Sequence, residues 1–373
     1  MKARLIALLK EAGITVNGGE PYDVKVHDER LYARIARRHT IAAGESYVDG
    51  WWDCDRLDEL FYRVLGKAID QRLYSPWFFW RIMVHSLCNQ QTRSKSKAVA
   101  STHYNLGNEL YQAMLGESMA YTCAYWAESD SLDAAQFAKY DLVCRKLGLE
   151  AGEKVLEVGS GFGGLAKYMA EHYGCEVTAI SISEEPVKFS RVLCSGLPVR
   201  VHLCDYRDVH LYNSERIKFD KGVSVGVCEH VGYKNYRTLM KIARPQLQDD
   251  GLFLLHTIGS NESKNYTAPW IDKYIFPHGM LPSLKQLGAS MENMFVVEDL
   301  HNFGADYDKT LMAWHQNFVD QWDQFRARYG ERFYRMWCYY LLSCAGGFRA
   351  RSMQLWEFVL SPNGVPYGYK TIR

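Results

Sequence analysis

The stretch "VLEVGSGFGGLA", residues 155–166, runs an apolar segment into a glycine-rich turn, a pattern that cradles a nucleotide-type cofactor. Gly159, Gly161 and Gly164 satisfy G-x-G-x-x-G, so a nicotinamide dinucleotide is the first cofactor to weigh. Glu157, two residues ahead of the first glycine, argues against it. A carboxylate there repels a pyrophosphate and attracts an ammonium or a sulfonium, which favours S-adenosylmethionine over NAD. A nicotinamide site also wants an acid at the end of the second strand. The corresponding "SISEEP" puts Ser181 and Ser183 there, with Glu184 and Glu185 just beyond. The plain alternative is a structural strand-to-helix turn.

Two more titratable groups sit where chemistry is done. Glu229 in "GVCEHVG" and His256 in "LFLLHTIG" each follow or end an apolar run. Taken singly, such a Glu can cap a helix and such a His can be a satisfied core residue. Together, two titratable groups converging beyond strand ends are a site signature.

The elements that must position them follow from periodicity. "KVLEV", "CEVTAISI", "VRVHLC", "KGVSVGV" and "GLFLLHTI" are β-branched or apolar runs, separated by helical stretches such as "LAKYMAEHY", "EPVKFSRVLC" and "YRTLMKIARPQL". Such alternation predicts an α/β fold, a parallel sheet with helices on both faces that binds ligands beyond the carboxyl ends of its strands. Residues 1–90 read as a small mixed domain with helical spacing in "ARLIALLKEAG" and "DRLDELFYRVLGKAI". The polar, basic "NQQTRSKSKAVAS" that follows gives a linker at 91–101, and residues 102–373 form the larger domain. An insertion after the fifth strand, about 260–295, is too apolar for an idle loop. It reads either as a lid or lining for a greasy substrate or as a helical subdomain packed on itself.

With 373 residues, 47% of them hydrophobic, the chain can fill two cores. A formal net charge of +1 gives no global field of the kind a nucleic-acid binder carries, and no nucleic-acid partner is expected. Ten scattered cysteines without a C-x-x-C pair suggest a reducing, cytoplasmic setting with neither disulfide framework nor metal site. No apolar run reaches the roughly 18 residues of a membrane span. Between residues 63 and 97, however, Arg63, Lys67, Arg72, Arg81, Arg93, Lys95 and Lys97 interleave with Trp77, Phe78, Phe79 and Trp80. That mixture suits an anionic membrane surface, although aromatics in such a run are as readily buried.

The segments "GESYVDGWWDCDRLDELF", "HYNLGNELY", "YTCAYW", "VLEVGSGFGGLA", "CEHVGYKNY", "HTIGS", "YIFPHGMLPS", "HNFGADYDKTLMAW" and "AGGFRARSMQLW", in this order, resemble the cyclopropane-fatty-acyl-phospholipid synthases, relatives of the mycolic acid cyclopropane synthases. The resemblance covers nearly the whole chain. It implies a class I methyltransferase (Rossmann-like) fold, preceded by a mostly helical amino-terminal domain for lipid association and dimerisation. It further implies S-adenosylmethionine as cofactor, a bound bicarbonate, and as substrate the cis double bond of acyl chains in a phospholipid bilayer. A homodimer peripherally attached to the inner face of the membrane is part of the same expectation.

By that resemblance the bicarbonate is held by Cys123, Glu229, His256, Tyr307 and a backbone group of Ile258. Methyl-donor contacts fall on Tyr121, Thr122, Gly159, Ser160, Gly161, Gly163, Ser181, Ile182, Tyr206 and Arg207, alongside Glu157. The alkene takes a methyl, and the resulting carbocation loses a proton from it to close the ring. A different fate of that cation gives methylene or methyl-branched chains. Three positions depart from the family: Ser160 stands where Cys is usual, Phe162 where Trp is common, and Pro186 where a Gln contacts the cofactor ribose. Pro186 removes a hydrogen bond worth about 1 kcal/mol, so either affinity falls or Glu185 takes over.

Overall fold

Apolar runs a few residues long, each followed by a helix that covers them, give this chain a seven-stranded sheet. The computed structural model describes residues 2–73, 89, 91–93, 107–212 and 217–373. The chain divides into two units: Met1–Cys88, Asn265–His278 and Gly304–Met353 form the first, and Asn89–Lys264, Gly279–Phe303 and Gln354–Arg373 the second. The first break between the units falls between Cys88 and Asn89. Residues 265–278 and 304–353, assigned by sequence to the larger domain, instead pack in the first unit.

The first unit holds a two-residue antiparallel ladder, β1 (Lys25–Val26) against β2 (Trp52–Asp53), among helices Lys2–Glu11, Arg30–Val48, Leu57–Gly66, Pro269–Tyr274, Ala305–Asp320 and Trp322–Arg349. Side-chain chemistry explains why the late segments join the early ones. Tyr339 packs its ring on Tyr47, Phe61 and Trp270 with centroids 5.5, 5.2 and 4.5 Å away. Arg349 binds Asp58 at 2.8 Å and Asp308 at 2.9 Å. Burial alone would raise the Asp58 carboxyl; hydrogen bonds from Arg56 and Arg349 overcome that and bring it down to about 2.

In the second unit the strands are β3 (Lys154–Val158), β4 (Glu176–Ser181), β5 (Val199–Leu203), β6 (Phe219–Val225), β7 (Leu247–Ser260), β8 (Val296–Asn302) and β9 (Met353–Ser361). Their order across the sheet is β5-β4-β3-β6-β7-β9-β8. Pairs β3–β4, β4–β5, β3–β6 and β6–β7 are parallel, and β8–β9 is antiparallel. The chain moves outward from β3 to β5 and returns to β6 on the other side of β3, so the crevice beyond β3 and β6 is the switch point. All five strands expected from sequence are present; β8 and β9 were not anticipated.

Alternation along the strands sorts the core into two layers. Val155, Val177, Ala179, Val201, Leu252, Leu254 and Val359 face the helices Leu132–Leu147 and Gly164–Tyr173. Leu156, Ile180, Phe253, Leu255 and Phe358 face the helices Tyr236–Ala243 and Leu284–Met291. Helix Leu132–Leu147 starts where the Ser131 hydroxyl accepts from Ala134 N–H and stops at Gly148, which takes φ 60°.

The aromatic run 74–80, with Trp77, Phe78, Phe79 and Trp80, lies outside the described residues, as do Arg81, Lys95, Lys97 and most of the linker. Of the remaining basic residues, Arg63 pairs with Glu59, Arg72 with Glu11 and Arg93 with Asp208. Among the described residues no helix is long and apolar enough to cross a membrane.

The crossing of helices Leu57–Gly66 and Trp322–Arg349 gives a direct test of the first unit. A Cβ on Gly346 would overlap the Asp58 carbonyl and lie 2.7 Å from Phe61 Cβ and from Tyr62 N, atoms that cannot yield without moving the helix. Gly346→Ala is expected to cost about 1–3 kcal/mol, read as a lowered melting midpoint by calorimetry. An unchanged midpoint would show that the two helices separate freely.

Candidate active site

The glycine turn after β3 is shaped by its neighbours. Gly159 adopts φ 87°, and a Cβ there would run into a methyl of Val227. Gly163, at φ 88°, would place one 2.8 Å from Ser190 Cβ. Gly159 and Ser160 N–H both donate to the Ile180 carbonyl, at 2.8 and 3.1 Å, which pins the turn to the end of β4 beside Ser181 and Ile182. Ser190 Oγ donates to the Gly161 carbonyl at 3.2 Å.

The segment carrying Tyr121, Thr122 and Cys123 is drawn in from the other side. Gln136 Nε2 donates to the Thr122 carbonyl at 2.9 Å, and Lys139 Nζ to Thr122 Oγ1 at 3.0 Å. Cys123 is fully buried, its thiol 3.2 Å from the Ala124 carbonyl. Rings of Tyr121, Tyr111 and Phe162 follow one another at 5.5 and 5.8 Å, joining this segment to the turn. At Gly226, which closes β6, a Cβ would lie 2.8 Å from Thr122 Cγ2.

Glu157, on the face covered by helix Leu132–Leu147, is buried. Desolvation pushes its carboxyl up to about 8, opposed by the charge of Lys139, itself buried and pushed down from the ordinary lysine range by desolvation. Beyond β6, Glu229 is the second residue of the single helical turn Cys228–Val231, and its Oε1 accepts from Ile258 N–H at 2.6 Å. Burial raises it to about 7 although backbone N–H groups, that of Ile258 among them, oppose the rise. Of the Ile258 backbone, the N–H is engaged in orienting Glu229. Met280 N–H donates to the Glu229 carbonyl at 2.7 Å, so the "HGMLPS" part of the insertion is tied to this turn. His256, four residues before the end of β7, is 1% exposed, its Nδ1 2.9 Å from Glu357 Oε1. Glu357 Oε2 in turn lies 2.7 Å from Lys146 Nζ, both side chains fully buried.

The remaining expected residues have these neighbours. Tyr206, half-buried beyond β5, lies under the Arg207 guanidinium at 5.1 Å. Arg207 is engaged by both carboxylate oxygens of Asp205 at 2.7 Å and by the Gln91 carbonyl at 3.3 Å. Glu185, beside Pro186, pairs with Lys188 at 2.8 Å. Tyr307 belongs to the first unit, buried, its ring stacked on Phe348 at 4.5 Å. Lys139, Lys146 and Glu357 escaped sequence reading. A lone acid inside the apolar run "MQLWEFVLS" was the available signal for Glu357.

Glu157 Oε2, Ser160 Oγ, Ser224 Oγ, Glu229 Oε2 and His256 Nε2 are all buried without a hydrogen-bond partner in the protein. Glu157 and Ser224 lie next to the last residues of β3 and β6, Ser160 and Glu229 follow those strands, and His256 lies four residues before the end of β7, where Val158 pairs with Ser224 and Val225 with His256. Buried polar atoms are normally satisfied, so a group of them at a switch point fits ligands that are polar and partly charged. Glu157 and the turn suit a cationic nucleoside; Glu229 and His256 suit a small anion or its proton. Among the described residues no cluster of His, Cys, Asp and Glu could hold a metal ion.

The model of the mycolic acid cyclopropane synthetase family matches residues 90–358. The chain belongs to the cyclopropane synthase family. It is 46% identical to the cyclopropane-fatty-acyl-phospholipid synthase of Escherichia coli (strain K12), over 98% of this chain and 94% of that protein. With a probable fatty acid methyltransferase of Pseudomonas putida the identity is 38%, over 69% of this chain and 66% of the relative. Among solved structures, a mycolic acid cyclopropane synthase complexed with SAH and CTAB superposes with a TM-score of 0.64 at 28% identity, covering 71% of this chain and 98% of its own. A coclaurine N-methyltransferase, at 20% identity and TM-score 0.70 over 86% of this chain and 99% of its own, shares the fold alone. The second unit thus has the class I methyltransferase fold expected from sequence.

Glu229 gives a pH-dependent stability test for this family member. With an unfolded value of 4.5 and a folded one near 7, the native state resists ionisation; stability is full below 4.5 and lost as pH rises toward 7. Glu229→Gln removes that loss. It is expected to be more stable than the parent at pH 8, by roughly 3 kcal/mol, and equal to it at pH 4.5, by chemical denaturation at both pH values. Equal stability at pH 8 would mean the carboxyl is ionised without penalty.

Proposed function

We propose that this protein transfers a methylene unit from S-adenosylmethionine to the cis double bond of acyl chains in membrane phospholipids, forming a cyclopropane ring. The observation that carries the reading is the group of unpartnered polar atoms along and beyond β3, β6 and β7 in a member of this family. S-adenosylmethionine, when bound, supplies an electrophilic methyl. The glycine turn offers close backbone approach, and Glu157 offers a compensating negative charge in a dry setting. Alkenes are weak nucleophiles, so the protein's part is alignment and exclusion of water. Bicarbonate, when bound, supplies a small base. Glu229 and His256 are the groups that orient it and take up or return its proton, with Cys123 as a further donor.

An acyl chain lies within a bilayer, so the reading includes peripheral contact with the inner face of the membrane, checked by flotation with anionic vesicles. The amino-terminal part, residues 1–90, is proposed to carry that contact and to form a homodimer, read by light scattering.

Incubating the protein with unsaturated phospholipid vesicles and S-adenosylmethionine, with and without bicarbonate, tests the reaction. A released acyl chain heavier by one methylene and resistant to mild hydrogenation is expected, diminished without bicarbonate. A hydrogenation-sensitive product of the same mass would instead give the methylene-branched outcome.

Cofactor binding carries its own pH signature. Glu157, protonated below about 8, must lose its proton to meet a sulfonium, so binding releases protons at neutral pH and affinity climbs as pH rises toward 8. Glu157→Gln should flatten that slope, as should S-adenosylhomocysteine, whose sulfur is uncharged. Titration calorimetry in buffers of different ionisation enthalpy reads it. A flat slope for the parent protein would remove Glu157 from the charge pairing.

A further inference from the structure

We infer that Glu357 and Lys146 are positioning residues for His256: Glu357 keeps its ring proton on Nδ1, leaving Nε2 as an acceptor toward the reacting base, and Lys146 keeps that ring neutral. The inference rests on the ring-closing reaction proposed above for its catalytic meaning, but not for its geometry.

An ionised carboxylate can only accept, so at 2.9 Å from Glu357 Oε1 the His256 Nδ1 must donate. The proton is thereby fixed on Nδ1, and Nε2, buried and without a partner in the protein, presents its lone pair. Glu357 stays ionised because its second oxygen holds the Lys146 ammonium at 2.7 Å. Burial would raise the Glu357 carboxyl, yet the hydrogen bond from His256 and the charge of Lys146 bring it down to about 2. Lys146 Nζ also donates to His301 Nδ1 at 3.0 Å, and burial with that charge drives His301 down to about 4. The chain His256–Glu357–Lys146–His301 runs from β7 through β9 and the helix to β8, closed at its far end by a ring that stays neutral.

The ring of His256 feels opposed fields. Glu357 from β9 favours the imidazolium; burial, Lys139 and Lys146 from the helix oppose it, and the balance lies below the ordinary histidine value. Glu229 from the turn after β6 and His301 from β8 are the other titratable groups on the flanking elements. Removing the Lys146 charge leaves Glu357 uncompensated. The ring then takes a second proton, and Nε2 changes from acceptor to donor. A site that must accept a proton-bearing anion's O–H would then present the wrong polarity.

Two readouts test this on the full-length protein. Ring nitrogen NMR of histidine-labelled protein, with His256 assigned by its loss in His256→Gln, is expected to show the Nδ1–H tautomer, neutral at pH 7. A ring protonated at that pH, or carrying its proton on Nε2, would overturn the inference whatever the enzyme makes. In Lys146→Met the His256 titration and the acidic limb of kcat should both move up by about one pH unit or more. Turnover at pH 7 should fall on the order of twofold where the limb reaches pH 7, and about tenfold for each further unit, with KM for S-adenosylmethionine little changed. The double variant Lys146→Met with Glu357→Met removes both charges; its acidic limb should return toward that of the parent while kcat stays low, because nothing fixes the tautomer. If both variants lose only thermal stability and keep the parent pH profile, the pair is structural and the inference fails. A parent ring with the expected tautomer in a protein that makes no cyclopropane would leave the placement intact and reject the proposed reaction.

Discussion

Lys139 and Lys146 sit seven residues apart, two turns along helix Leu132–Leu147, and both are buried against the sheet. Taking an ammonium out of water costs several kcal/mol unless an opposite charge meets it, so the sheet must present carboxylates on that face. It does so by strand alternation: Glu157 shares its face with Val155, and Glu357 with Val359. The two lysines are used differently. Lys146 and Glu357 form a closed contact whose geometry passes to His256. Lys139 instead bonds Thr122, and Glu157 Oε2 has no partner in the protein, so a carboxyl that ionises on meeting a cationic ligand stays available.

This division explains how one fold can serve several acceptors. The fold is shared with an N-methyltransferase, whose acceptor is by name a nitrogen, a nucleophile in its own right. An alkene needs more: a dry path, a place for a cation to persist and a route for a proton to leave. In the reading proposed above, those requirements are met beyond β6 and along β7 and β9, by Glu229, His256 and Glu357.

Much of this was legible because it obeys short-range rules. β3 to β7 announced themselves by β-branched runs, and the turn by its glycines. Glu157, Glu229 and His256 were readable because an ionisable residue at the end of an apolar run is out of place locally. Helix Leu132–Leu147 was not readable in the same way. Its buried face carries Gln136, Lys139 and Lys146 in place of apolar residues, which blurs the periodicity that would reveal it. β8 was hidden for a related reason: Val296, Val297 and Leu300 on that strand are exposed while Asp299 is buried, the inverse of the usual alternation. The membership of residues 304–353 in the first unit had no local signal at all. It depends on pairs such as Arg349 with Asp58, separated by 291 positions.

That separation has a consequence for how the chain comes into being. The first unit is written in three instalments. Asp58, Glu45 and Tyr47 leave the ribosome 291, 228 and 288 residues ahead of Arg349, Lys273 and Arg335, with which they finally bond. At about 5–20 residues per second the early helices wait roughly 10 to 60 s for those partners, with Tyr47 and Phe61 lacking the ring of Tyr339. The sheet, whose central strands β3 to β7 are contiguous, assembles in the interval. The amino-terminal segment is thus the first synthesised and among the last completed, and a nascent chain halted before residue 335 would expose its aromatic surface to whatever holds unfinished proteins.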